Sequence, residues 1–492
     1  MGVARGLSAP ERRGGEDDMA HEVEHEAGPA RVDAAEGSHT DGSHPWSAWR
    51  VVVWFGLVSL AADMVYEGAR SMYGPLLASL GASALVVGLV TGAGEAMALV
   101  LRLVFGPLAD RSGRYWSLTV IGYGLTAVCV PLLAVTPFVG AAGLGLAIVL
   151  ILLERSGKAV RSPSKSALLA HVAGAVGRGR GFGVHKALDQ LGAFLGPLLV
   201  AGVVALAGGV IWPGMLVLAI PGAAAMLILA MIRRRVPDPS VYDAAAAEPV
   251  PEPPAAPQAA APEPAPELAP EPAAPTPARE QANAAGATRT SGIRGWVGDA
   301  LGTQLPPEFW RYALAASLTT GGLVTFGIIG FHLTQEGIVP VAAVPVVYAG
   351  AMLVEALAAL VVGAVYDRVG GSVLYAVPVL VALVPALALG GSLWAVLAGV
   401  VVWGAAYGVQ DSTVKALVAE VVAPPRRASA YGVFAGVQGV FAIVGGAVAG
   451  WLYGRSVPAL VVVIALSQLV ALVLLVRTVR DTRRRAVPAR TT

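Results

Sequence analysis

Cysteine is nearly missing from this chain. Cys129 stands alone among 492 residues, which excludes an intramolecular disulfide and a cysteine metal cluster. Charge is scarce as well: Asp, Glu, Lys and Arg make up 13% of the residues, against roughly 25% in a soluble domain. Hydrophobic residues reach 56%, so the composition excludes an ordinary soluble domain and points to a chain that crosses a membrane many times. The net charge of +2 gives no support to nucleic-acid binding. No nucleophile–base set, phosphate loop or metal motif stands at active-site spacing, so a non-enzymatic protein without cofactor or resident metal is expected. Residues 1–46 lack an apolar h-region and read as a disordered acidic tail rather than a secretory signal. Four of the seven histidines fall there, His21, His25, His39 and His44, where incidental residues of a tail outweigh loose metal binding. Met1 and Met19 both remain possible starts.

What the chain does have is long apolar runs. A hydropathy window of membrane-spanning length marks about twelve spans, at 48–78, 84–106, 115–137, 141–160, 181–207, 210–232, 309–334, 341–363, 372–390, 393–415, 428–454 and 457–477. The fold class is therefore an all-α membrane protein. An Ala/Pro/Glu-rich tract lies between spans six and seven and reads as a stiff, extended linker. The expected organisation is a tail at 1–46, a six-helix bundle at 47–235, a linker at 236–305, a second bundle at 306–478 and a basic tail at 479–492. Lys and Arg gather on one side: Arg111, Arg114, Arg155, Lys158, Arg161, Lys165, Arg178, Arg180, the run 233–235, Arg368, Arg426 and Arg427. The opposite loops are nearly bare apart from Arg455. By the positive-inside rule both termini and the linker are cytoplasmic, in a plasma (inner) membrane.

The two halves repeat. "GPLADRSGR", with Gly106, Asp110, Arg111, Gly113 and Arg114, returns as "GAVYDRVGG", with Gly363, Asp367, Arg368 and Gly370, at an offset of 257. A second echo pairs Gly183 with Gly432, Asp189 with Gln438 and Gly196 with Gly445. On these residues the chain resembles the major facilitator superfamily over roughly 47–235 and 306–478. The first stretch looks like that family's loop between helices two and three, and the second like its degenerate copy. "GAFLGPLL", with Gly192, Gly196 and Pro197, resembles a fifth-helix motif common among exporters, although Val200 and Ala201 stand where those prefer a Gly pair. The resemblance implies two six-helix bundles related by an internal repeat. It also implies a loop cluster of Gly106, Asp110, Arg111, Gly113, Arg114, Glu154, Gly363, Asp367 and Arg368 that latches the outward-facing state. In that reading Asp110 sits near a helix N-terminus, and Arg111 and Arg114 pair with Glu154 at the cytoplasmic end of span four. A bare topology signal is the alternative.

The few charges inside the apolar runs are not scattered. Spans three, six, nine and twelve carry no ionisable residue in their apolar runs, as expected of supporting helices that face lipid. A charge at the bilayer centre costs about 2.5–3.5 kcal/mol on insertion scales, so those that are kept face a cavity or a partner. Asp63, Glu67 and Arg70 share one face of span one. Asp63 lies roughly 20 Å above Arg50 and Glu95 roughly 16 Å above Gly106, both near the midplane. Arg70 is placed near the outer interface, and Arg102 towards the cytoplasm. His185 and Asp189 form an i, i+4 pair in span five, and Glu355 lies roughly 12 Å into span eight. Arg155, Lys158, Asp411 and Lys415 read as rim charges. These placements make Asp63, Glu67, Arg70, Glu95, Arg102, His185, Asp189 and Glu355 the candidate cavity set, with Asp63, Glu95, Asp189 and Glu355 as proton carriers.

The function expected is secondary active transport by alternating access, proton-coupled, exporting a small cationic or neutral lipophilic solute as a monomer in the lipid bilayer. Acids outnumbering bases at mid-depth favour that cargo. The alternatives left open are a metal-cation exporter, an importer of an organic anion or sugar contacting Arg70 and Arg102, and a non-transporting membrane sensor.

Overall fold

The structure, a computed structural model, describes residues 46–246, 305–422 and 427–486; within them the side chains of 244–246, 367, 411–421, 427–429 and 482–486 lie outside the description. The expectations for the acidic tail and its histidines, most of the linker, Arg426, and the side chains of Asp367, Asp411 and Lys415 therefore fall outside the described residues. Twelve helices among the described residues are long and apolar enough to cross a membrane. They are α1 (Ala48–Arg70), α2 (Ala84–Ser112), α3 (Tyr115–Leu132), α4 (Gly143–Val176), α5 (Arg178–Leu206), α6 (Ala219–Arg235), α7 (Pro307–Gly322, resuming as Phe326–Gln335), α8 (Val344–Val369), α9 (Ala376–Ala388), α10 (Leu393–Val421), α11 (Arg427–Tyr453) and α12 (Val457–Ala486).

Local chemistry fixes the ends. The Ser47 and Ser83 hydroxyls accept hydrogen bonds from the backbone N–H groups of Arg50 and Val86, capping α1 and α2. Gly113 and Gly370 stop α2 and α8 with φ of 62° and 64°, a backbone region that disfavours any side chain. These two glycines stand 257 residues apart, so one stop signal is used at the same place in both halves.

Four helices depart most from the expected spans. α4 runs to Val176 rather than ending near 160, because its polar stretch stays helical inside the bundle. α10 likewise continues to Val421. α1 breaks after Arg70 at Ser71 and Met72, and a short helix, Tyr73–Ser79, completes the crossing. Arg70 is consequently buried at a break rather than placed at the outer interface. α7 breaks similarly at Leu323, Val324 and Thr325. The indole N–H of Trp403 donates to the freed Val324 carbonyl at 2.8 Å, the kind of repair that hydrocarbon surroundings demand.

Helices α3, α6, α9 and α12 present apolar side chains outward, including Val128, Leu227, Val379 and Leu469. That agrees with the charge-free support role expected for them. Across the two halves, α2 packs on α11 and α5 on α8. At α2–α11 the backbones touch through glycine: a Cβ on Gly88 would meet the Gly446 carbonyl, and one on Gly446 would meet that of Gly88. Gly450 bears in the same way on Ala84, and Gly74 of the short helix on Gly327. All of these contacts lie towards the end with bare loops. Towards the basic end the halves separate. A Cβ added at Gly363, Gly432 or Gly436 would have no neighbour within 4 Å, and one at Gly106 would meet only Pro163 of its own half, at 4.0 Å. The bundle is closed at the bare end and open at the basic end.

At that open end the chain leaving α6 is pinned. The Trp116 indole donates to the Pro237 carbonyl at 2.9 Å, and His171 meets Asp243 at 2.7 Å. Two hydrogen bonds from Ser240 hold the Asp238 carboxyl below the usual carboxylate range.

This packing gives a direct expectation. Gly446→Val forces main chain from main chain at α2–α11 and should lower thermal stability by the equivalent of about 1–3 kcal/mol. Gly432→Ala faces open space in a helix and should be neutral or slightly stabilising. Melting curves of the two purified variants check this, and equal losses would contradict the packing described.

Candidate functional site

The charged face of α1 meets charges from α2, α4 and α5 in two constellations, with Lys158 facing an acid of each, Glu67 and Asp63. In the first, Arg70 donates to Glu95 at 2.7 Å and lies 3.6 Å from Glu67. Its guanidinium also sits over the Tyr407 ring of α10, 5.3 Å from the centroid. Glu67 accepts from the Tyr348 hydroxyl of α8 at 2.5 Å and has Lys158 at 3.9 Å, so it is no private partner of Arg70. Arg155 of α4 lies 3.7 Å from Glu95 and 3.6 Å from Glu154, and it donates to the Tyr66 hydroxyl. Its aliphatic stem rests against Gly94, where a Cβ would crowd it.

The second constellation lies between α1, α4 and α5. Arg161 approaches Asp63 at 3.6 Å, and the Asp63 and Asp189 carboxyl groups face one another. Lys186 holds Asp189 at 3.0 Å from the other side. One turn away, Ser59 meets His185 at 2.8 Å and accepts from Lys165 at 3.1 Å. His185 is buried.

A cavity of about 520 Å³ opens between the halves. Four charged residues line it, Arg70, Glu95, Arg102 and Lys158, all from the N-terminal half. The C-terminal half contributes Thr320, Gln410 and Gln438 with an aromatic wall that includes Trp403 and Tyr407, stacked at 5.3 Å between centroids. Both amides donate to the Thr320 hydroxyl, Gln410 at 2.6 Å and Gln438 at 3.0 Å.

The candidate cavity set is thus divided. Arg70, Glu95 and Arg102 line the cavity; Glu67 stands just behind it, and Asp63, Asp189 and His185 form the α1–α4–α5 node. Glu355 is buried on α8, outside the lining. The excess of acids over bases does not extend to the cavity surface, which carries three cations and one acid. That removes the argument for cationic cargo.

Glu154 requires the clearest correction. It is fully buried beside Arg155, with Tyr73 donating to it at 3.3 Å, and takes no part in the loop cluster. The extended α4 is the reason, since it carries Glu154, Arg155, Lys158 and Arg161 into the bundle instead of onto its rim. In the loop itself Asp110 accepts from the Tyr115 hydroxyl at 3.1 Å, at the start of α3. Arg111, Arg114 and Arg368 make no ion pair among the described residues. Gly192 and Gly196 bring α5 against the Leu60 and Met64 carbonyls of α1, with Pro197 buried beside them. This motif acts as a packing surface.

Sequence reasoning missed Thr320, Gln410, Trp403 and Tyr407 and misplaced Arg161. The repeat held a signal for them: the 257 offset that aligns the loops carries Asp63 onto Thr320, and the 249 offset that pairs Asp189 with Gln438 carries Arg161 onto Gln410. The packing follows the same offsets. Gly196 bears on Met64 as Gly445 bears on Gly321, and Gly94 meets Arg155 as Gly404 meets Ala351.

Known proteins resemble the chain as follows. The family model described as Major Facilitator Superfamily matches residues 55–338 and 312–492. An uncharacterized protein of Mycobacterium tuberculosis is 47% identical over 429 residues, covering 87% of this chain and 93% of its own length. A Methanocaldococcus jannaschii protein described as an uncharacterized MFS-type transporter is 30% identical over 144 residues, 29% of this chain and 35% of its own. Among solved structures, a mutant of the nucleoside transporter NupG aligns with a TM-score of 0.64 at 14% identity, over 87% of this chain and 99% of its own. A bacterial homologue of the human lysosomal transporter Spinster, inward-facing and unoccupied, aligns with a TM-score of 0.57 at 15% identity, over 90% and 96%. At these identities the structural likeness is one of fold.

Removing one partner of a buried ion pair strands the other, at a cost of about 3–5 kcal/mol. Arg155→Met should therefore destabilise the protein strongly, and adding Glu154→Gln should recover part of the loss. A double-mutant cycle on melting temperature checks this; simple additivity would mean that the two groups do not act as a pair.

Proposed function

The chain belongs to the major facilitator superfamily and is a membrane transporter of that type, and from this premise we propose that it works by proton-coupled alternating access on a small organic solute. The feature that supports the coupling is the juxtaposition of the Asp63 and Asp189 carboxyl groups beside Arg161, an arrangement that two acids inside the membrane hold at least cost by sharing one proton. The neutral counterpart, Thr320 with Gln410 and Gln438, makes the same hydrogen-bonded arrangement with nothing to ionise. Loss of that proton leaves two carboxylates repelling each other, each drawn to its own cations, Asp63 to Arg161 and Lys158 and Asp189 to Lys186 and Lys165. That repulsion favours a rearrangement of α5 against α1, whose glycine contacts allow it to slide, and α5 also packs on α8 of the other half. Proton occupancy thus biases a two-state bundle.

With the basic end in the cytoplasm, as the Lys and Arg distribution reads, the conformation described here faces inward. A solute loaded from that end and exchanged for an entering proton leaves the cell, which is the export direction suggested by the helix-five resemblance. The protein acts as a monomer, because cavity and proton site both lie within one chain.

Asp63→Asn and Asp189→Asn keep the size of the acids and remove the shared proton. In proteoliposomes with an imposed pH gradient, each should abolish uphill accumulation of any solute the wild type concentrates, while leaving exchange of that solute at equilibrium. A trapped pH dye should report solute-dependent proton movement in the wild type only. Uphill transport retained by both variants would refute coupling through this pair.

A further inference from the structure

We infer that the cavity between the halves binds a small organic monoanion, its charged group on the Arg102 and Lys158 side and its uncharged ring-bearing body against Trp403, Tyr407, Gln410 and Gln438. This rests on the transport reading only in calling the ligand a cargo.

Charge balance is the first ground. Three acids stand in or directly behind the cavity, Glu67, Glu95 and Glu154, and three cations hold them, Arg70, Arg155 and Lys158. Arg102 is the fourth cation. It makes no ion pair among the described residues, its Nε is buried without a hydrogen-bond partner, and it lines the cavity. At the cavity wall Arg102 offers a guanidinium that no carboxylate among the described residues holds within 4 Å. Lys158 is the most loosely held of the remaining cations, 3.9 Å from Glu67 and lying over the Tyr66 ring. One negative charge on the solute balances the set, and a carboxylate or phosphate suits a guanidinium fork.

The opposite wall differs in kind. The 249 offset places Tyr407 where the N-terminal half has Lys158, Trp403 where it has Glu154, and Gln410 where it has Arg161. The ionic positions of α4 have become aromatic and amide positions in α10. Gln410 lines the cavity with its amide N–H donated to the Thr320 hydroxyl. The repeat has diverged into a wall that recognises charge and a wall that recognises a neutral, planar body. A volume of about 520 Å³ fits a molecule of small-metabolite or drug size.

The test uses three probes with one ring system and different charge: 2-naphthoate, 2-naphthamide and 2-naphthylmethylamine. Each is titrated into the purified full-length protein, with binding read by calorimetry and by thermal shift. The naphthoate should bind and raise the melting temperature, and the amide and amine should bind at least about tenfold more weakly. Arg102→Gln should weaken naphthoate by about tenfold or more without altering the melting temperature of the unliganded protein, and Arg102→Lys should retain part of the affinity. Equal binding of the amine or amide, no naphthoate binding at millimolar concentration, or unchanged affinity in Arg102→Gln would each overturn the inference. Failure of transport with naphthoate binding intact would instead sink the function and leave the anion site standing.

Discussion

Arg155 is the point on which the charged interior of the N-terminal half depends. Its guanidinium reaches Glu95 from α2, Glu154 from its own helix and Tyr66 from α1, at a depth where an unpaired charge is penalised heavily. The close approach of its stem to Gly94 makes this reach possible, since a side chain on α2 there would push the two helices apart. With Arg155 in place the acids around it can remain ionised inside the bundle. Arg70 is then free to bridge Glu95 and the aromatic wall of the other half. The cavity takes its charge from what this network leaves over, which is Arg102.

The same logic, applied to a repeat, explains why the halves differ. An ancestral six-helix unit used twice places equivalent side chains at equivalent depths, and the glycine contacts of α1 with α5 and of α7 with α11 still follow that rule. The polar node survives in both copies, as Asp63, Arg161 and Asp189 in one and Thr320, Gln410 and Gln438 in the other. In the proposed mechanism the first is the switchable element, while the second has no group that ionises and presents its hydrogen bonds at the cavity wall.

Much of the architecture is legible in the sequence because hydropathy, loop arginines and the repeated "DR" loops report on constraints that act residue by residue. The support helices stand out by their lack of charge, and Gly113 and Gly370 by their place at a helix stop. Span four is misread for a physical reason. Hydropathy treats Glu154, Arg155, Lys158 and Arg161 as polar and ends the helix there, whereas cross-helix pairing makes such residues tolerable in the interior. A straight α1 would carry Arg70 to the interface, whereas Gly74-Pro75 marks the break, since Pro75 has no N–H to give the Ser71 carbonyl. The partners of Asp63 and Glu95 come from other helices, so no local pattern could reveal them. The repeat offsets do contain the Thr320–Gln410–Gln438 node, but only the packed structure shows that the offsets hold in space.

The central claim is that Asp63 and Asp189 share one proton while the equivalent node of the other half has none to share. Infrared difference spectroscopy of the purified protein at neutral pH tests it most directly, by comparing the wild type with Asp189→Asn, Asp63→Asn and Gln438→Leu. The account predicts a protonated-carboxyl C=O band that shifts in heavy water, disappears in either aspartate variant and persists in Gln438→Leu. A wild-type spectrum indistinguishable in that region from those of both aspartate variants would contradict it.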